Sequence, residues 1–190
     1  MKNDRDISAP LTEELRGIAV IIPSLNPCEH LTETARQMHA AGFGNIILID
    51  DGSTDGTKKY FSEAAEETGA TLLTHEVNRG KGAALKTAFS YILDKRPDII
   101  GAVTVDGDGQ HNPEYIESIV APLERGEADM VVGSRFIEKQ GFQSTGLRQL
   151  GIRIVSATIH LLTRKRVLDV TSGFRACNRD TIAYFSKHYA

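Results

Sequence analysis

The sequence predicts an α/β fold, a mostly parallel sheet with helices on both of its faces. Short β-branched runs alternate with longer amphipathic stretches along the chain, the pattern of strands joined by crossover helices. At 190 residues and 41% hydrophobic, the chain has material for one sizeable core and too little for two.

In order, the strand candidates are Ile18 to Ile22, Ile46 to Asp50, Thr71 to Thr74, Ile99 to Val105 and Met130 to Val132. The helical candidates between and after them are Glu29 to Ala41, Thr54 to Glu67, Gly80 to Asp94, Pro113 to Glu124 and Leu147 to Thr163. Residues 1–16 form a polar N-terminal extension, and 17–190 read as a single domain with no internal repeat, low-complexity tract or linker. In parallel sheets ligands bind at the carboxyl ends of the strands. Three of those ends carry unusual polar residues here: Pro23-Ser24-Leu25-Asn26, Asp50-Asp51-Gly52-Ser53 and Asp106-Gly107-Asp108.

Composition excludes several classes of function. With 22 Lys+Arg against 25 Asp+Glu and a formal net charge of -3, nothing draws the whole chain to nucleic acid, so any anion site must be local. Cys28 and Cys177 stand far apart with no Cys-x-x-Cys or Cys/His spacing, against structural zinc and a disulfide framework. The amino terminus lacks the apolar stretch of a secretory signal, and no apolar run approaches the ~20 residues that span a bilayer. A cytoplasmic protein is expected, one that works at a membrane only from its surface, as a peripheral protein at the inner face of the plasma membrane, or through a partner.

Asp106-Gly107-Asp108-Gly109-Gln110 closes an apolar strand with two carboxylates around a glycine. Two hard oxygen donors and an amide oxygen in one turn suit Mg²⁺ or Mn²⁺, although Asp and Gly also fill ordinary turns. An EF-hand is excluded because His111 stands where that loop requires glycine and a strand precedes the acids. Asp50 to Thr57 fails the same test, since Ser62 holds the position of the bidentate carboxylate. Its ordinary reading is a strand end and a helix cap, with Ser53 or Thr54 capping and Asp55 at the positive end of the helix dipole. That leaves Asp50 and Asp51 facing the ligand side, where a carboxylate can accept hydrogen bonds from a base edge or a ribose hydroxyl. Asn78-Arg79-Gly80-Lys81-Gly82 is not a Walker A loop, for His75 and Gly82 stand in place of its glycine and its Ser or Thr. It reads either as a solvated basic turn or as a close approach to an anion at a helix start. A G-x-G-x-x-G fingerprint is absent, against a nicotinamide or flavin enzyme.

Taken together and in this order, IIPSLN, IDDGSTDGT, NRGKGAAL, VDGDGQHNPE, VVGSRF and DVTSGFRA resemble the family 2 glycosyltransferases of the GT-A fold. Among those they most resemble the polyprenyl-phosphate (dolichol-phosphate) mannosyl- or glucosyltransferases, over about Ile18 to Ala176. The resemblance implies that Pro23, Leu25 and Asp51 contact the nucleoside with Lys81 nearby, and that Asn26, Asp50 and Gly107 belong to the same nucleotide site. Asp106 would meet the ribose or the metal, Asp108 and Gln110 would ligate the metal, and Arg135, Arg148 and Arg175 would face phosphates of donor or acceptor. Pro27 stands where polyprenyl-phosphate mannosyltransferases usually carry Glu, and Leu25 where they often carry Tyr. The donor is accordingly left as a UDP- or GDP-linked sugar. Such proteins continue beyond the GFRA motif through a further helix and strand, so the C-terminal end at Ala190 is expected to be truncated.

The activity implied is inverting displacement at the sugar's anomeric carbon, with Asp106, Asp108 and Arg135 as the catalytic set. Family members that glycosylate hydroxyls carry a Glu-Asp pair as the source of a general base, and this chain has no Glu-Asp dipeptide. A phosphate monoester needs no such base, because it is already largely dianionic at neutral pH. A lipid-linked phosphate is therefore the expected acceptor. Transfer to a sugar or polysaccharide hydroxyl, a nucleotidyltransferase and a non-catalytic nucleotide-sugar-binding module are the alternatives. The stretch Leu147 to Thr163, ending in Arg164-Lys165-Arg166, reads as a core-facing amphipathic helix or as an interfacial one near anionic lipid.

Overall fold

A computed structural model describes residues 16–109, 113–133 and 172–189. The elements in chain order are β1 (Ile18–Ser24), α1 (His30–Ala40), β2 (Ile46–Asp50), α2 (Asp55–Thr68), β3 (Thr71–Thr74), α3 (Lys81–Lys95), β4 (Gly101–Thr104), α4 (Glu114–Glu124), β5 (Met130–Val132), β6 (Arg175–Asn178) and α5 (Arg179–His188). The strands form one six-stranded sheet in the order β3-β2-β1-β4-β6-β5. Pairing is parallel between β1 and β2, β1 and β4, and β2 and β3. It is antiparallel where β6 inserts between β4 and β5.

The α/β reading with a mostly parallel sheet holds, and the five expected strands are all present. β6 and α5 were not expected. Arg175 to Asn178 is too short and too polar at its ends to announce a strand, and it becomes one because β4 and β5 offer open edges on either side. Asn178 then caps α5, its Oδ1 accepting the Thr181 N–H at 2.9 Å. The stretch Leu147 to Thr163 lies outside the described residues. Among the described residues no helix is long and apolar enough to cross a membrane.

The period-two geometry of the strands divides the core into two layers. Val20, Ile22 and Leu48 point to one face and pack on Leu31 and Met38 of α1, Phe61 of α2 and Ile116 of α4. Ala19, Ile21, Ile47 and Ile49 point to the other, against Leu85, Phe89 and Ile92 of α3 and Ile182 of α5. β1 and β2 are buried over almost their whole length, which explains the unbroken apolar runs IAVII and IILI.

Candidate active site

Register assembles the site. Ser24 pairs with Asp50 across β1 and β2, and Ile21 pairs with Thr104 across β1 and β4. The polar residues that follow β1, β2 and β4 therefore leave the sheet in a row along one edge. Pro23 is buried at the end of β1, and Leu25 beyond it is 43% exposed.

The turn after β2 is held by its own side chains. Asp50 is buried, and its Oδ1 accepts the Ser53 N–H at 2.7 Å, closing the turn that leads into α2. Ser53 Oγ accepts the Asn26 N–H at 2.8 Å, and Asn26 Oδ1 accepts the Thr54 N–H at 2.9 Å and bonds from the Thr54 and Thr57 hydroxyls. The expectation that Ser53 or Thr54 caps the helix is corrected. Thr54 occupies the N-cap without a side-chain capping bond, because Asn26 reaches across from β1, at φ +49, to satisfy this end of the helix. Asp50 likewise has a local duty that sequence spacing did not reveal. Gly52, at φ +78, lets the following loop approach: a Cβ there would lie 2.3 Å from Asn78 N and from the Val77 carbonyl carbon.

Asp51 faces that loop. Its Oδ1 accepts the Arg79 N–H at 3.0 Å and a bond from His75 Nδ1 at 2.7 Å, while His75 Nε2 stands 2.8 Å from Thr87 Oγ1. Burial alone would push the Asp51 carboxyl up, but the Arg79 N–H, the His75 ring and the Gly80 N–H outweigh it and hold the group below its ordinary value. The basic glycine loop is solvent-exposed yet tied to the acidic turn through Asp51. Asn78 Oδ1 accepts the Gly80 N–H at 2.9 Å, and α3 begins at Lys81.

Lys81 reaches across to the end of β4, where its ammonium pairs with Asp106 Oδ1. Gly107, which follows, packs where a Cβ would come within 2.6 Å of Ser24 Oγ, so the chain turns tightly out of β4 against the end of β1. Asp108 beyond it is exposed. On its other side Asp106 meets Gly173, where a Cβ would lie 2.3 Å from Oδ2. The backbone there is held by Thr104 Oγ1, which donates to the Gly173 carbonyl at 2.6 Å. A cleft of about 140 Å³ opens beside the pair, bounded by Lys81, Thr104, Ser172, Gly173, Arg175 and Tyr189. Arg175 donates from Nε to the Ser172 carbonyl at 2.8 Å and from a terminal nitrogen to the Tyr189 hydroxyl at 3.2 Å.

A row of strand ends that presents a buried carboxylate, a lysine at a helix start and a second carboxylate pair is what the sequence motifs suggested, and comparison with known proteins decides the family. The family model for glycosyl transferase family 2 matches residues 19–185. The chain belongs to that family. Its relatives include an uncharacterized protein of Methanocaldococcus jannaschii, 35% identical over 84% of this chain and 63% of that protein. They also include the UDP-N-acetylglucosamine–dolichyl-phosphate N-acetylglucosaminyltransferase of Methanococcus voltae, 30% identical over 90% of this chain and 72% of that one. The polyprenol monophosphomannose synthase of Mycolicibacterium smegmatis is 30% identical over 86% and 62% of the two chains. This chain thus spans 62% to 72% of the length of these three relatives. The fold is that of glucosyl-3-phosphoglycerate synthase from Mycobacterium tuberculosis, solved with Mn²⁺, UDP and glucosyl-3-phosphoglycerate. The TM-score to it is 0.65 at 22% identity, over 95% of this chain and 63% of that one. The sheet with its helices is accordingly the GT-A fold.

Within this family 2 domain the structure brings together Pro23, Leu25, Asn26, Asp50, Asp51, Lys81, Asp106, Gly107 and Asp108 at one edge of the sheet, with Arg175 across the cleft. Gln110, Arg135 and Arg148 lie outside the described residues. Sequence reasoning missed His75, Thr87, Ser172 and Gly173. The buried His75 stood at the end of β3 immediately before the glycine loop, and that position was its one visible signal. Gly173 gave none beyond its motif, because its contact with Asp106 depends on β6 pairing with β4.

Proposed function

We propose that this chain is the donor-binding domain of an inverting glycosyltransferase that moves a hexose from a UDP- or GDP-linked sugar to a polyprenyl phosphate. The observation that carries the reading is the Lys81–Asp106 pair at the mouth of β4, on the same sheet edge as the Asp51 turn and across β1 from it. A nucleoside diphosphate has a base that seeks fixed acceptors and phosphates that seek cations. This edge offers the two in that order.

The donor set suits Mg²⁺ or Mn²⁺: Asp106 and Asp108 supply hard oxygens, Gln110 an amide oxygen, and Gly173 leaves room for the Asp106 carboxylate because it has no Cβ. Such an ion, when bound, offsets the charge that grows on the leaving nucleoside diphosphate. Pro23, Leu25 and Asp51 hold the nucleoside, with Asn26, Asp50 and Gly107 shaping its pocket. Lys81 exchanges Asp106 for a phosphate oxygen. Arg135, Arg148 and Arg175 receive the acceptor phosphate, since guanidinium groups match its oxygens in a bidentate way. The names of the Methanococcus and Mycolicibacterium relatives, which specify dolichyl phosphate and polyprenol, support that acceptor. An acceptor of this kind places the enzyme at the inner face of the membrane.

The test is transfer of label by the full-length protein from UDP- and GDP-hexoses to polyprenyl phosphate with Mn²⁺, and to free sugars in parallel. A labelled lipid and free nucleoside diphosphate are expected, with EDTA abolishing both. Arg135→Ala should cut transfer far more than donor binding. Efficient transfer to a sugar hydroxyl with none to polyprenyl phosphate would overturn the acceptor, and release of pyrophosphate instead of nucleoside diphosphate would overturn the reaction.

A further inference from the structure

A hydrogen-bond chain runs from Thr87 through His75 to Asp51, and of its members only Asp51 is used in the proposed function. Its three members come from different elements: Asp51 follows β2, His75 follows β3, and Thr87 lies in the second turn of α3. The His75 and Asp51 side chains are 5% and 6% exposed. Two polar side chains that deep are retained at a cost unless they are mutually satisfied.

The direction of the chain follows from donor and acceptor chemistry. A carboxylate only accepts, so the 2.7 Å contact requires His75 Nδ1 to carry a proton. Thr87, 2.8 Å from Nε2, donates to a neutral ring or accepts from a charged one. In both states the imidazole is fixed in plane and Nδ1–H points at Asp51. Oδ1 takes both the His75 bond and the Arg79 N–H, which sets the rotation of the carboxylate; the Gly80 N–H is a further donor to the group, and Oδ2 keeps acceptor capacity that the His75 and Arg79 bonds do not use. A carboxylate held at one oxygen from two directions presents the other at a defined angle, and that is the requirement for reading one edge of a base.

We infer that His75 is a positioning residue for nucleoside recognition: held by Thr87, it fixes the Asp51 carboxylate so that its remaining oxygen accepts an N–H of the donor's base. This rests on the assignment of Asp51 to the nucleoside made above. The chain belongs to base selection and not to phosphate binding, since it meets the ligand-side turn through Asp51.

Calorimetric titration of the full-length protein with UDP, with GDP and with inorganic pyrophosphate, each with Mn²⁺, separates base from phosphate. His75→Ala should weaken the nucleoside diphosphate that wild type prefers by roughly 10- to 100-fold, the range of one lost hydrogen bond to a charged group, and leave pyrophosphate within about twofold. His75→Asn, whose side-chain N–H sits where Nδ1–H was, should recover most of the loss. Thr87→Val should fall between wild type and His75→Ala. Should His75→Ala not fold, the Asn and Val variants carry the test by the same comparison. Equal losses for pyrophosphate and nucleoside diphosphate would reduce His75 to a support for the loop and overturn the inference, as would unchanged nucleotide affinity in every variant. Failure of wild type to bind either nucleotide while pyrophosphate binds would instead sink the nucleoside assignment on which it rests.

Discussion

Asp51→Ala removes a carboxylate that serves the fold before it meets any ligand, and the structure allows the cost to be worked. The His75 ring and the Arg79 N–H lose their acceptor, while the Gly80 N–H keeps its bond to Asn78 Oδ1. The His75 ring is 5% exposed, so its orphaned N–H bears the desolvation penalty of a buried donor, about 1–3 kcal/mol. The Arg79 N–H belongs to an exposed loop residue that water can reach, and its loss is closer to the net worth of a hydrogen bond, about 0.5–1.5 kcal/mol. Together they predict a destabilisation of about 1.5–4.5 kcal/mol at pH 7. For a chain of this size that lowers Tm by roughly 3–18 °C. The effect has a pH signature with a definite sign. Asp51 is held below its ordinary value, so the stability it contributes is fully present above about pH 4 and is lost as pH falls through the folded-state value. Urea unfolding of wild type and Asp51→Ala should therefore show a constant gap from pH 7 to pH 5 that narrows below pH 4. An unchanged midpoint at pH 7, or a gap that widens in acid, would show that Asp51 does not stabilise the fold through His75 and Arg79.

Three further outcomes follow from other contacts. Asp108→Asn should keep its Tm, because the side chain is exposed, yet lose the Mn²⁺-dependent part of nucleoside-diphosphate affinity; equal affinity with and without EDTA in wild type would count against a metal at this turn. Gly173→Ala places a Cβ 2.3 Å from Asp106 Oδ2, so the carboxylate must swing away from its place beside Lys81. Mn²⁺-dependent nucleotide binding should drop roughly tenfold or more, about the effect of one lost charge-assisted contact, with far-UV dichroism retained; wild-type affinity would show that Asp106 does not need that position. Burial pushes the Cys177 thiol up to about 12 while Cys28 is exposed, so a thiol reagent at pH 8 should label Cys28 rapidly and Cys177 only on unfolding. Rapid modification at both positions under native conditions would contradict the packing of β6.

The layered α/β plan was legible because it rests on local pattern: short β-branched apolar runs bounded by turn residues suit strands covered on both faces, and β1 and β2 are such strands. The motif residues were legible for a related reason. Asp51, Lys81 and Asp106 all sit just past strand ends, and a parallel sheet places such positions on one edge without any knowledge of which strand lies beside which. What the sequence could not decide was how the polar groups at that edge share their hydrogen bonds. Asn26 Oδ1 accepts bonds from the residues that open α2, and Asp50 closes its own turn, duties that spacing alone did not show. Lys81 opens the helix after β3, which two strands separate from β4 in the sheet order, and lies 25 positions of chain from Asp106, yet the two form an ion pair. Gly173 meets Asp106 only because β6 runs antiparallel between β4 and β5, a pairing chosen by open sheet edges and not by the four residues of the strand. Periodicity and turn chemistry act over a few residues and are written in the chain. Hydrogen-bond partners across 20 to 70 positions are settled by packing and register, which exist only once the sheet has formed.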